Sequence, residues 1–346
     1  MKKFSILAAC LIIVFPCLGM APPNDKQDFY YKLASYWAPD LYQDTGHYPE
    51  GDYITAFDGD GDWKGANNLE SLKAGRFGPY HAYVYYQVIE TRTHYLIIYE
   101  VFHPFDYDHP LLKCLEGAYH ENDTEATMVI VQKMPGKKFG RFRGLETRPH
   151  GYTRYYALDS DVRPPLFKLI EKPSLRDGHH PEIYIQRGGH GPYALHAREH
   201  GLFYRHEFHA DTGVVYRYKG EAQAPSGPDD RDVGYELIAI DGERGFWPRR
   251  CEREAFDKRR EYKPPQGRPG IPRELLCDDG KLPFNLNGDD SGDSGSIDSG
   301  GLPWNHLTPD PAHLVDMTWK FPEAFSTEYV YNPFLGIDRR DKRENR

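Results

Sequence analysis

Positive charge, paired cysteines and long apolar runs are all scarce in this sequence, and each shortage removes a class of function. Lys and Arg number 43 against 52 Asp and Glu, a formal net charge of −9 over 346 residues. The phosphate attraction behind most nucleic-acid binding therefore has no global source, and no nucleic-acid partner is expected. Beyond the first 21 residues no stretch approaches membrane-spanning length. No Cys-x-x-Cys spacing occurs, which argues against a structural zinc knot. There is no internal repeat and no rhythm of parallel βαβ units.

Aromatics, proline and glycine are abundant. With 26 Tyr, 28 Pro and 33 Gly, the chain favours many short strands joined by long loops. Its first residues read as an export signal. Met1-Lys2-Lys3 supplies positive charge, Phe4 to Leu18 an apolar core, and Gly19-Met20-Ala21 the small residues of a cleavage site. Residues 1–21 are thus expected to be removed, and a secreted or periplasmic protein follows. Cys114, Cys251 and Cys277 remain in the mature chain. Export permits a disulfide, and Cys251 with Cys277 is the favoured pair because both flank one proline-rich excursion.

Asp25 to Tyr42 reads as an opening helix, with Phe29, Leu33, Trp37 and Leu41 four apart and Pro39 interrupting it near its end. The strongest strand signal is a hairpin, Ala82–Glu90 and His94–Phe102, two aromatic and β-branched runs joined by Thr91-Arg92-Thr93. Further strands are expected at Thr127–Lys133, Glu182–Gln186, Val214–Tyr218 and Tyr235–Ile240. Together they predict a mainly β protein: an antiparallel β-sandwich with long loops and a short N-terminal helix, one domain over 22–346. Residues 279–301, rich in Gly, Ser and Asp, read as a flexible acidic insertion.

The sharpest chemistry lies in His120-Glu121-Asn122-Asp123-Thr124-Glu125, which opens into a strand. In an extended chain Asp123 and Glu125 project from one face. Upstream, the second hairpin strand runs into His103-Pro104-Phe105-Asp106-Tyr107-Asp108. If the two strands are neighbours, Asp106, His120, Asp123 and Glu125 converge at one sheet end. A divalent cation relieves that crowding of carboxylates, and hard oxygen donors favour Ca²⁺ or Mg²⁺. His190, in the glycine-flanked string Gly188-Gly189-His190-Gly191, sits where backbone approaches a ligand. Asp58-Gly59-Asp60-Gly61-Asp62 has the opening of a calcium loop, which makes Asp60 and Asp62 ligand candidates. Trp63 and Leu69 stand where an EF-hand needs Gly and a bidentate acid, so the string is no EF-hand.

The order of these strings resembles an exported Vps62-like family over roughly residues 35–200. The residues that carry it are Phe57-Asp58-Gly59-Asp60-Gly61-Asp62-Trp63, the tyrosine-rich hairpin, His103-Pro104-Phe105-Asp106 and His120-Glu121-Asn122-Asp123. More distantly, His120-x-Asn122-Asp123-x-Glu125 after Phe105-Asp106 is similar to the metal-binding heptad of the necrosis-inducing Nep1-like β-sandwich toxins. That resemblance implies Asp106, Asp123 and Glu125 as ligands beside His120. Asn122 and Thr124 stand where the toxin motif has His and Trp, a departure that bears on toxicity more than on metal.

Two protease-like strings carry little. His196-x-x-Glu199-His200 needs a helix that Gly201 and its neighbours oppose, and Gly292-Asp293-Ser294-Gly295 lies in low-complexity sequence without a partner histidine. The leading expectation is a secreted protein that binds an extracellular glycan or lipid headgroup through a divalent cation. The rival is a metal-dependent hydrolase with His120 or Glu121 as general base. A third reading is a structural exported protein without metal.

Overall fold

The computed structural model describes residues 25–107, 120–149, 152–163, 170–196, 211–256, 259–288, 302, 304 and 308–340. The expected export signal, Asp108, Cys114, Glu199, His200 and most of the acidic insertion lie outside these residues. Strand outweighs helix, 35% to 17%, so the protein is mainly β.

Helix α1 (Asp25–Trp37) buries Leu33 and Trp37 as their spacing predicts. It ends before Pro39, and Asp40–Gln43 forms strand β1 where the sequence suggested continued helix. A proline disfavours helix at the residue before it, which frees Leu41 to pair in the sheet. Two short helices follow, α2 (Pro49–Asp52) and α3 (Asn68–Lys73). The hairpin is present as β2 (Tyr83–Thr91) and β3 (His94–Asp106), continued by β4 (His120–Met134) and β5 (Lys137–Thr147). Shorter strands come next: β6 (Arg154–Tyr156), β7 (Ile170–Glu171), β8 (Leu175–Arg176), β9 (His180–Ile185) and β10 (Pro192–Ala194). Then come β11 (Val214–Tyr218), β12 (Val233–Ala239), β13 (Arg259–Arg260), β14 (Leu282–Pro283), β15 (Tyr329–Asn332) and β16 (Ile337–Asp338). Between them lie α4 (Phe246–Arg249) and α5 (Pro311–Thr318).

Among the described residues fourteen strands form one hydrogen-bonded sheet with the main order β10-β9-β1-β11-β12-β2-β3-β4-β5-β6-β7. It is mixed. β1–β9, β11–β12, β12–β2 and β6–β7 pair parallel, which corrects the expectation of an antiparallel fold. Hydrogen bonding links the main strands in one path, and a two-sheet sandwich is not shown. Parallel neighbours need long crossovers, and the irregular loops supply them. The sheet curls, because β10 returns against β4 and β5.

Both faces are covered, which is why the central strands read as nearly unbroken apolar runs. Ile97, Tyr99 and Val101 face one core with α1; Leu96, Ile98 and Phe102 face the other. The second core is closed by Phe246, Trp247, Phe256, Trp304 and Phe334 from the last hundred residues. A disulfide joins Cys251 to Cys277, the pair the sequence favoured. Among the described residues no helix is long and apolar enough to cross a membrane.

Candidate metal centre

β3 and β4 pair antiparallel, setting His103 opposite Asp123, Val101 opposite Glu125 and Asp106 opposite His120. A regular pleat would send Asp106 and His120 to the face opposite Asp123. The pleat is broken at Asn122, whose φ of +58° is left-handed. As a result Asp106, His120 and Asp123 each bring a donor atom within 4.8 Å of the others. Asn122 itself is tied down on the far side. Its Nδ2 donates to Gly65 O (2.9 Å) and Asn287 O (2.6 Å), and its Oδ1 accepts from Asn68 Nδ2 at 2.5 Å.

Three features suit this group to a divalent cation. His120 Nδ1 lies 3.0 Å from Glu121 O, so the ring donates there and keeps its Nε2 lone pair for the site, 3.5 Å from Asp106 Oδ2. Glu125 lines a small enclosed cavity with Tyr99, Val101 and Pro192, and its buried Oε2 has no hydrogen-bond partner. Its carboxyl is pushed well up, first by burial and then by the charges of Asp123, Asp106 and Glu100. A cation beside it would reverse that penalty. Asp123 is the exception among the acids. Burial works to raise it, but the hydrogen bond and charge of His190 bring it down to about 2.

His190 holds a second cluster together. It stands at φ +46° in the turn between β9 and β10, wholly buried. Nδ1 is 2.8 Å from Asp123 Oδ2 and Nε2 is 3.3 Å from Asp52 Oδ1. Burial opposes its charge, yet the hydrogen bonds to Asp123 and Asp52 raise it to about 10. Asp52 also accepts from Gly188 N (2.8 Å) and Tyr107 Oη (2.5 Å). His103 stacks on His190, centroids 3.7 Å apart and planes 7° apart, and its Nε2 lies 2.9 Å from Gln43 Oε1. Burial, then the charge of His190, hold His103 well below the ordinary histidine range. His103, Asp123 and His190 also lie within metal-binding reach of one another. A histidine with both nitrogens on carboxylates is a cation itself, so Asp106, His120 and Asp123 form the better metal group.

The structure therefore gathers Asp106, His120 and Asp123, puts Glu125 beside them and links His190 through Asp123. Glu121 turns elsewhere: its Oε1 accepts from Leu69 N at 2.8 Å, at the start of α3. Asp60 and Asp62 sit in the turn before α3, apart from this group. Sequence reasoning missed His103, Gln43 and Asp52. The hairpin register could have found His103, because it faces Asp123 directly; nothing local marks Gln43 or Asp52.

No protein-family model matches the sequence, and no curated protein matches it. Among solved structures the chain is similar to Nep1-like proteins at low identity. One is the non-toxic HaNLP3 protein, at 16% identity and TM-score 0.34, covering 66% of this chain and 80% of that one. Another is Necrosis and Ethylene inducing Protein 2 from the causal agent of cocoa's Witches Broom disease, at 14% and 0.32, covering 61% and 74%. A third is NLPPya in complex with mannosamine, at 17% and 0.30, covering 64% and 78%.

Proposed function

We propose that this chain is an exported protein that holds a divalent cation on Asp106, His120 and Asp123, with Glu125 in reserve, and binds an extracellular glycan through it. The single observation that carries this reading is the convergence of three donor side chains within 4.8 Å despite a register that should separate two of them. Asp106 is the part-exposed member, so it marks the side open to a ligand. Sugar hydroxyls are hard oxygen donors that fill open positions on such an ion. The carboxylates suit a hard divalent ion, Ca²⁺ or Mg²⁺, and the single imidazole does not separate the two, since both prefer oxygen. The charged segment and apolar run of residues 1–21 support export.

Hydrolysis at the same place would need a base free to take a proton. Glu121 is committed to Leu69 N, His120 Nδ1 to a carbonyl, and His190 already carries its proton between two carboxylates. These engagements favour binding over turnover.

The test is elemental analysis of the purified protein beside glycan-array binding with and without chelator. The wild type should retain a cation that Asp106→Asn loses, and glycan binding should disappear with EDTA. An Asp106→Asn protein with undiminished metal would sink the site. Glycan binding indifferent to chelator, or binding confined to lipid headgroups, would sink the assigned ligand.

A further inference from the structure

Among the described residues three aromatic side chains are 36% exposed or more: Tyr36, Tyr48 and Tyr152. Tyr36 belongs to α1. The other two lie at the end of the sheet that carries Asp106, His120, Asp123 and Glu125. Tyr48, 60% exposed, meets Tyr107 edge-on, with centroids 5.4 Å apart and planes at 81°. Tyr107 follows Asp106 directly in the chain and stacks on Phe105, which precedes it, with planes 18° apart. Its hydroxyl donates to Asp52 at 2.5 Å, and Asp52 in turn holds His190, the partner of Asp123. Tyr107 is thus fixed, and Tyr48 rests on it as an open ring on the β3 side of the centre.

Tyr152, 44% exposed, reaches the same sheet end from the β6 side. The register carries it there: Thr127 in β4 pairs with Thr147 in β5, which pairs with Arg154 in β6. Glu125 lies two residues ahead of Thr127, and Tyr152 lies two ahead of Arg154. The two residues therefore share a level and a face, two strand spacings or ~10 Å apart. The contacts agree. The Tyr152 hydroxyl is 3.1 Å from that of buried Tyr193. The Tyr193 phenol is held above its ordinary range, first by burial, then by Tyr152 and by the charge of Glu125. Pro192, next to Tyr193, lines the cavity that Glu125 lines. The Arg154 guanidinium lies 5.9 Å from the Tyr152 ring and 5.3 Å from the Tyr193 ring, so Tyr152 also rests on an anchored neighbour.

Tyrosine combines a flat apolar body with a polar rim and loses little conformational freedom on binding. The C–H faces of sugar rings match that body, while a cation takes the hydroxyls. One sugar held at the cation fills one position. Rings on each side of it reach the units before and after.

We infer that Tyr48 and Tyr152 are stacking walls on either side of the cation centre, so that the ligand is a run of at least three linked sugars whose middle unit meets the cation. This inference rests on the cation-dependent glycan binding proposed above and adds the class of glycan: a chain segment, not a single terminal sugar.

An array of neutral oligosaccharides, each printed as a series of one to six units, tests it with the metal-loaded full chain. Wild-type binding should rise up to three units and then level. Tyr48→Ala and Tyr152→Ala should each weaken trisaccharide binding by about three- to tenfold, the worth of one aromatic contact, and should change single-sugar binding little. Tyr48→Phe and Tyr152→Phe should restore most of the loss, and Tyr36→Ala should have no effect. Metal uptake and melting temperature should match the wild type in every variant, which separates lost stacking from lost fold. Trisaccharides bound no better than single sugars, or bound equally well by Tyr48→Ala and Tyr152→Ala, would overturn the walls and leave cation-dependent binding standing. A wild type that keeps its cation yet binds no glycan on the array would overturn both readings.

Discussion

Asn122 decides the geometry of the Asp106, His120 and Asp123 cluster. L-residues avoid φ near +58°, and asparagine is among those that enter this region at least cost. Its amide then makes three buried hydrogen bonds, to Gly65 O, Asn287 O and Asn68 Nδ2. Asn122→Ala removes these bonds and adds backbone strain, so it should lower stability by about 3 kcal/mol and weaken metal uptake. Asn122→Gly loses the bonds but relieves the strain, and should be about 1 kcal/mol less severe. Denaturant melts check the order; an Ala variant no worse than Gly would contradict it. The pairing of Asp123 with Glu125 on one face was readable from the pleat, whereas the break at Asn122 was not, because its partners lie 54 to 165 residues away. His94 makes a second claim at this scale. It is buried at the other end of β3, facing Glu323, Arg143 and Lys133, and its pKa falls to about 4, chiefly through burial. A histidine depressed in the folded state contributes stability above the unfolded value near 6.5 and loses it as pH falls toward 4. The wild type should lose about 1.5 kcal/mol between pH 6.5 and 5 through this group. His94→Gln should flatten that slope, and parallel pH profiles for the two proteins would show that His94 is not its source.

Among the elements, the β2–β3 hairpin was the most readable, since two aromatic and β-branched runs joined by a polar tripeptide admit little else. Pro39 marked the end of α1, but strand β1 after it was not readable, because Leu41 continues the helical spacing. Strand β5 shows how an element can be shaped from afar. Gly144 has no side chain because the Trp319 ring, just beyond α5, lies across it; a Cβ there would come within 2.8 Å of the ring. Trp319 is itself anchored, its Nε1 donating to Glu146 Oε1 at 2.5 Å. The ring is buried on the second core and stacked near Phe321, with little room to retreat. Gly144→Ala should therefore cost about 1–3 kcal/mol by overpacking, despite the better strand propensity of alanine. A Gly144→Ala protein that melts at or above the wild-type temperature would show that the tryptophan can shift.

Across the whole molecule, the order of the sheet was hidden from the sequence because its parallel pairs join distant segments. β12 reaches back about 150 residues to lie along Tyr83–Tyr86 in β2, and no local pattern encodes such a partner. The same long connections leave the last hundred residues with a covering task. From Phe246 onward the described residues form little regular structure, yet they bury Phe246, Trp247, Phe256, Trp304 and Phe334 over the second face of the sheet. A cover made of loops leaves much chain entropy to be restrained, and the Cys251–Cys277 bond restrains part of it by closing a segment of 26 residues. Loop-closure entropy for that length corresponds to about 3.5 kcal/mol. Cys251→Ser with Cys277→Ser should lower the unfolding free energy by that amount and move the urea midpoint down, and reductant should destabilise the wild type equally while leaving the double variant in place. Metal uptake at Asp106, which sits at the far end of β3, should survive both treatments as long as the protein stays folded. If the melting curves with and without reductant coincide, the sheet and the aromatic cover hold by packing alone, and the bond adds nothing to stability.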